Sequence, residues 1–324
     1  MKVFITIICS IILLGCNSST ENKRYITESS GNINTISVVS DNMLWEGKVG
    51  SAIRSVFAAP SQGLPQDEPL FTIRQIPLQV FDGFATKNRL ILKVSQSDSS
   101  SLNIYRNVYA KPQTVVDLRA TSPQELITIL NNNSEKIIDA FTKEEVKEKL
   151  RRINKSPLDV SEMEKALGFT IDIPSAYRIA KNTEDFFWVR KSLSNTKTMD
   201  LMFYEVPLET IRPGDSTIMD IIKMRDAVIR KNIPGPEPGA SMTTEDAYVP
   251  SMFETIIDNK HTIETRGVWE VTGFFMAGPF LNYAIEDKIN NRYLVAEGYV
   301  YAPSLEKRDL VFELEAIMKS IEIN

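Results

Sequence analysis

Cysteine and histidine are nearly missing from this chain of 324 residues, which has two Cys, at positions 9 and 16, and one His, at 261. Both cysteines fall close to the N-terminus, so the long remainder can form no disulfide, thiolate metal site or cysteine nucleophile. One histidine permits no multi-His metal centre within the chain, and any His-containing triad would have to use it. His261 follows the turn Asp258-Asn259-Lys260 and is expected to be exposed at a strand end. Positive charge is also in deficit: 37 Lys and Arg stand against 42 Asp and Glu, for a net charge of -5. Nucleic acid is therefore not expected as a partner, because its binding relies on clustered cations. The sequence lacks a Gly-rich phosphate loop, a Gly-x-Ser-x-Gly elbow, an HExxH helix and an acidic calcium loop. No cofactor, metal or catalytic residue is assigned from it.

The apolar run at 3–14 follows Met1-Lys2 and is too short for a membrane span, which needs about 20 apolar residues. It has the form of a signal-peptide core. The flank Leu13-Leu14-Gly15-Cys16 resembles the bacterial lipobox, which implies cleavage before Cys16 and acylation of its thiol and new amino group. The expected partner is then membrane lipid, and loss of Lys2 moves the net charge from -5 to -6. Each buried acyl methylene is worth about 0.8 kcal/mol, so several chains hold a protein to a bilayer without a span. Residues 16–34 are rich in Ser, Asn, Thr and Glu and read as a tether with an r.m.s. reach of about 23 Å. Asn17, in place of an Asp, and the absence of an acidic run after Cys16 point to the periplasmic leaflet of the outer membrane.

Beyond the tether the pattern is α+β, with two mostly antiparallel sheet domains carrying packed helices. The first is expected at 35–153, a linker at 154–160 and the second domain at 161–324. A short strand at 35–40 leads to one helix at 43–58 with Trp45, Val49, Ile53 and Phe57 at helical spacing. Ser122-Pro123-Gln124-Glu125 is a capping box with Pro at the first helical position. Thr142-Lys143-Glu144-Glu145 reads as a second box starting a new helix, with Glu145 and Glu148 on a solvated face among basic residues. In the second half, strands surround a helix from 215 or 216 to 232, stopped by Pro234-Gly235-Pro236-Glu237-Pro238-Gly239. The strand order, from Phe169-Thr170-Ile171-Asp172-Ile173-Pro174 to a closing helix ending Lys319-Ser320-Ile321, is similar to the PsbP-like α/β/α sandwich.

Several stretches carry a longer resemblance. They are Gly63-Leu64-Pro65-Gln66 with Glu68-Pro69-Leu70-Phe71, Thr265-Arg266-Gly267-Val268-Trp269-Glu270 with Gly278-Pro279-Phe280, and Gly298-Tyr299-Val300-Tyr301-Ala302-Pro303. With the lipobox, they make the chain similar to a family of uncharacterised lipoproteins of Bacteroidota, a domain of unknown function. The resemblance implies a compartment and a lineage and lends no activity.

Two groups of residues are candidates for function. In the last strand Tyr293, Val295, Glu297, Tyr299 and Tyr301 alternate with small residues and share one face. With Trp269 they form either a surface for a glycan or an envelope protein, since aromatics supply contact area at low entropic cost, or a core face covered by the first domain or by a helix. Glu264, Arg266 and Glu270 share a face of another strand, as a polar site floor or as a solvated face with an ion pair. The reading is a membrane-anchored binding or scaffolding module. Two alternatives stay open: a hydrolase of peptidoglycan or glycan using Glu264, Glu270 and Glu297, and a carrier with an enclosed apolar pocket.

Overall fold

A computed structural model describes residues 26–324, which form two units, one around a five-stranded sheet and one around an eight-stranded sheet. The signal peptide expected at 1–15, Cys16 and the expected tether up to residue 25 lie outside the described residues. The first unit contains β1 (Thr27–Glu28), β2 (Thr35–Val39), α1 (Asn42–Glu46), α2 (Lys48–Phe57), β3 (Thr72–Ile76), β4 (Leu90–Gln96), β5 (Ser101–Arg106), β6 (Ala110–Lys111), β7 (Thr114–Ala120), α3 (Pro123–Asn132) and α4 (Ser134–Ile153). The second contains α5 (Ser161–Leu167), β8 (Phe169–Thr170), β9 (Arg178–Asn182), β10 (Phe186–Ser194), β11 (Lys197–Pro207), α6 (Thr217–Asn232), β12 (Met242–Thr244), β13 (Ser251–Ile257), β14 (Lys260–Val271), β15 (Ala277–Asp287), β16 (Arg292–Tyr301), α7 (Arg308–Met318) and β17 (Glu322–Ile323).

The chain is α+β, with antiparallel pairing prevailing. The exception is the first large sheet, ordered β3-β2-β4-β7-β5, in which β2–β3, β2–β4 and β4–β7 are parallel and only β5–β7 is antiparallel. Helices α1 and α2 between β2 and β3, and the long excursion between β3 and β4, return the chain to the same end of the sheet, which makes neighbours parallel. The helix expected at 43–58 is broken at Gly47 into α1 and α2. Ser122 caps α3 as its pattern indicates, accepting a hydrogen bond from the Glu125 amide. The box at Thr142 starts nothing, however, because α4 runs through it unbroken. Glu145 and Glu148 are buried rather than solvated: Glu145 pairs with Arg89 at 2.7 Å, and Glu148 takes Arg151 and Arg152 at 2.7 Å each. Glu145 is thus held from outside the helix, and Glu148 by the next turn of α4 itself.

The same pair corrects the inner end of the tether. Arg89 donates to the carbonyls of Gly31 and Asn32, while the Asn34 amide donates to Glu145. Thr27 and Glu28 pair with β6, so residues from 26 to 34 belong to the first unit.

The second unit is a sandwich around one eight-stranded sheet, ordered β12-β14-β15-β16-β11-β10-β9 with β13 also pairing β14. Leu281, Tyr283, Leu294, Ala296 and Val300 face α5 and α7, whereas Trp188, Met202, Tyr204, Phe280 and Val295 face α6. Gly298 lies under α7, where a Cβ would come within 2.9 Å of Leu314 Cβ, and this lets the helix sit close on the sheet.

The units are joined by the loop after α2. Gly63, at φ +78, rests on Arg266, and a Cβ there would meet Arg266 Cβ at 2.7 Å. Glu68 accepts from the amides of Lys307 and Arg308 at 2.7–2.9 Å, which caps α7 from the other unit. Lys149 on α4 adds an ion pair to Glu313 on α7 at 3.0 Å.

Candidate functional site

The five residues expected as a ligand surface share one face of the second sheet, but α6 and its following loop cover most of it. Tyr293, Glu297, Tyr299 and Trp269 are each no more than 5% exposed, which corrects the reading of this face as an open platform. The cover comes from the same unit, because the apolar stripe of α6 has to be buried on a sheet.

Under the middle of α6 the face closes around charge. Arg225 and Glu297 are both fully buried and meet at 2.7 Å, Asn282 donates to Glu297 at 2.9 Å, and Arg225 lies 3.9 Å from the Phe280 ring centroid. Thr244 and Asp226 accept from Arg225 Nη1 at 2.7 and 3.0 Å. Sequence reasoning missed Arg225. It falls four residues after Ile221 and four before Ile229, on the apolar stripe, and a charge in that position was the available signal.

Beyond the end of α6 the face opens into a pocket of about 280 Å³. Trp269, Tyr299 and Tyr301 line it, with Arg190, Thr198 and the turn Pro234-Gly235-Pro236. Trp269 meets Tyr299 edge-on at 6.0 Å and Tyr301 tilted at 6.0 Å. In register across the strands, Asp200 lies between Arg190 and Tyr299. Its Oδ1 accepts from Trp188 Nε1 at 2.8 Å and from Arg190 Nε at 2.7 Å, and the Arg190 guanidinium stacks on Trp188 at 4.3 Å. Asp200 Oδ2, Tyr299 Oη and Trp269 Nε1 are buried without hydrogen-bond partners among the described residues. Burial raises the Asp200 carboxyl above its ordinary pKa, against the pull of Arg190. Burial likewise pushes the Tyr299 phenol well up, so it remains an O–H donor at neutral pH. Asp200, Arg190 and Trp188 were not anticipated, although an acid inside the apolar run of β11 marked the position.

On the opposite face, Glu264 and Arg266 point at α7 and the first unit, while Glu270 stands apart near the strand end. Arg266 bridges Glu264 at 2.5 Å and Glu315 at 2.8 Å, at the floor of an inter-unit cleft of about 490 Å³ lined by Pro60, Ser61, Phe253 and Phe312. Burial alone would raise the Glu315 carboxyl, but Arg266 and Lys319 outweigh it and hold its pKa down to about 2. Glu270 is not part of this cluster: a hydrogen bond with Glu245, together with burial, raises its pKa. His261 is half-exposed, 3.7 Å from Glu286. Glu297 is on the other side of the sheet from Glu264 and Glu270, so it cannot flank one glycosidic bond with either of them.

By architecture this is a two-unit α+β protein whose second unit is an α/β/α sandwich. Residues 156–320 match the family described as Domain of unknown function (DUF4837), and the chain belongs to that family. Residues 29–154 match a second, Domain of unknown function (DUF8532). No curated protein matches the chain. Solved structures to which it is similar include cyanobacterial PsbP (CyanoP) from Synechocystis sp. PCC 6803, at 10% identity over 49% of this chain and 88% of that one, with a TM-score of 0.33. Another is LpqN, involved in cell envelope biogenesis of Mycobacterium tuberculosis, at 10% identity, 48% and 83% coverage and a TM-score of 0.29. A protein from Bacteroides thetaiotaomicron matches at 11% identity, 49% and 46% coverage and a TM-score of 0.27. Nothing about function is transferred from likenesses this distant. Among the described residues no helix is long and apolar enough to cross a membrane.

Proposed function

We propose that the chain is a lipoprotein of the Gram-negative envelope, of Bacteroidota lineage, anchored through acylated Cys16 at the periplasmic face of the outer membrane. Its second unit binds one sugar ring of an envelope glycan in the pocket of Trp269, Tyr299 and Tyr301. The observation that carries the ligand reading is the pair of unpartnered buried polar atoms, Trp269 Nε1 and Tyr299 Oη, on aromatic residues that line the pocket. Buried polar atoms are normally paired, and leaving one unmade costs about 1–3 kcal/mol. A pyranose supplies ring and hydroxyl oxygens to Trp269 Nε1 and Tyr299 Oη, and an apolar C–H face for the indole. At about 280 Å³ the pocket is at the small end for ligands, which suits one ring.

Titration of the protein with the N-acetylglucosamine–N-acetylmuramic acid disaccharide, followed by tryptophan fluorescence, tests the pocket. Saturable binding that weakens about tenfold in Trp269→Ala is expected, a loss appropriate to one stacking residue; unchanged affinity in that variant would remove the pocket as the site. The anchor is tested separately by metabolic labelling with a clickable fatty acid. Label should enter the wild type and vanish in Cys16→Ala, and an unlabelled wild type overturns the anchoring.

A further inference from the structure

The open flank of the second sheet is built unlike an ordinary edge. β12 and β13 lie end to end along β14, and among the described residues their outer side meets no other strand. Edges are normally defended by Lys, Pro, bulges or short length, because their free amides and carbonyls template further pairing. β13, Ser-Met-Phe-Glu-Thr-Ile-Ile, has seven residues with neither Lys nor Pro, and its register with β14 is unbroken. Large apolar side chains stand out on it, Met252, Phe253 and Ile256, and on the turn just before it, Tyr248 and Val249, of which Val249 is 84% and Ile256 72% exposed.

The same flank is acidic and unneutralised. Glu245, Asp246, Glu254 and Glu270 have no Lys or Arg within ion-pair distance among the described residues; Glu254 has only His261, at 3.9 Å, and is itself 82% exposed. Crowding of Glu270 by Glu245 and Asp246 shows in its raised pKa. Phe253 and Thr255 share the face of Glu264 and overhang the inter-unit cleft, so every second side chain of an added strand would point into it.

We propose that this edge is a β-augmentation site for an extended segment of a partner protein that alternates basic and apolar residues. Main-chain hydrogen bonds to β13 supply the pairing, the exposed apolar row and the cleft take alternate side chains, and the carboxylates select Lys or Arg. A second copy of this chain fits poorly, because self-pairing about β13 would set the same acidic flank against itself.

The probe is a fluorescein-labelled nine-residue peptide alternating Val and Lys, titrated by anisotropy against the full mature chain carrying Cys16→Ala. It is compared with a Val and Glu peptide and with the Val and Lys peptide N-methylated on every second residue, which cannot complete the ladder. The Val and Lys peptide should bind best, losing about tenfold on N-methylation and about fivefold in Glu254→Lys, the range of cross-strand charge reversal. Equal binding of the N-methylated peptide, or indifference to peptide charge, overturns the proposal. So does sedimentation equilibrium showing a dimer that Ile256→Lys dissolves, which assigns the edge to a second copy. Saturating disaccharide leaves peptide affinity of the otherwise unsubstituted chain unchanged, so failure here and failure of the sugar pocket are read separately.

Discussion

One sheet face contains two neighbourhoods of similar composition and opposite character. Beneath α6, Arg225 and Glu297 neutralise each other, and Asn282, Thr244 and Asp226 complete their hydrogen bonds. A few residues further along the same strands, Trp269 and Tyr299 hold buried polar atoms with no partner among the described residues, at the wall of an open volume. The difference lies in the reach of α6 and not in residue type. Where the helix covers the face, charge has become structure; where the Pro234 turn ends the helix, polar atoms remain for a ligand. Tyr204 Oη and Asn282 Oδ1 also lack partners under α6, so closure there is good in charge and incomplete in hydrogen bonding.

The strongest way to break this contrast is to remove one buried charge. Arg225→Met strands Glu297 in the core and should cost about 3–5 kcal/mol in urea unfolding; a loss below about 1 kcal/mol would mean that the pair is hydrated and the face is open throughout. Next comes the acid limb, which compares this sealed pair with the Arg266 cluster across the sheet. The Glu315 pKa is depressed from the ordinary 4.5 to about 2, so its stabilisation is present above about 4.5 and drains away as pH falls towards 2. The shift corresponds to about 3 kcal/mol, and Glu315→Gln should flatten the stability profile between those limits while lowering it at neutral pH. Smaller again is the cap between units: Glu68→Ala leaves the first amides of α7 without their acceptor and should cost about 1 kcal/mol, measured by thermal unfolding. The smallest effect is expected at the open end. Tyr299→Phe removes a hydroxyl that bonds nothing and should change the stability of the free protein by less than about 0.5 kcal/mol, yet weaken disaccharide binding. A large loss of stability with no ligand present would show that the hydroxyl is already satisfied and reverse the comparison.

Much of the second unit was legible in advance. The period-two alternation of 293–301 placed Tyr293, Glu297, Tyr299 and Tyr301 on one face and the small residues under the closing helix, and Gly298 beneath Leu314 is where that helix lands. What covers the aromatic face was not legible, because alternation says which side chains share a side and not which helix settles there. In the first unit the parallel order of β2, β3 and β4 was hidden for a related reason: each strand pairs according to how the chain returns, which depends on the length and packing of what lies between. The motifs at Gly63 and Arg266 lie about two hundred positions apart in sequence, and only the fold stacks one on the other.

By itself the sequence determined the α+β class, the N-cap of α3 and the strand faces of β14 and β16, since each depends on residue type and near-neighbour spacing. Tertiary structure alone decided that Glu145 and Glu148 turn inward, that Glu297 is paired rather than presented, and that three aromatic residues end beside a cavity. Those outcomes depend on where a helix stops on a sheet, and the energy of a buried charge or an unpaired hydroxyl is set by the groups that distant parts of the chain bring to it.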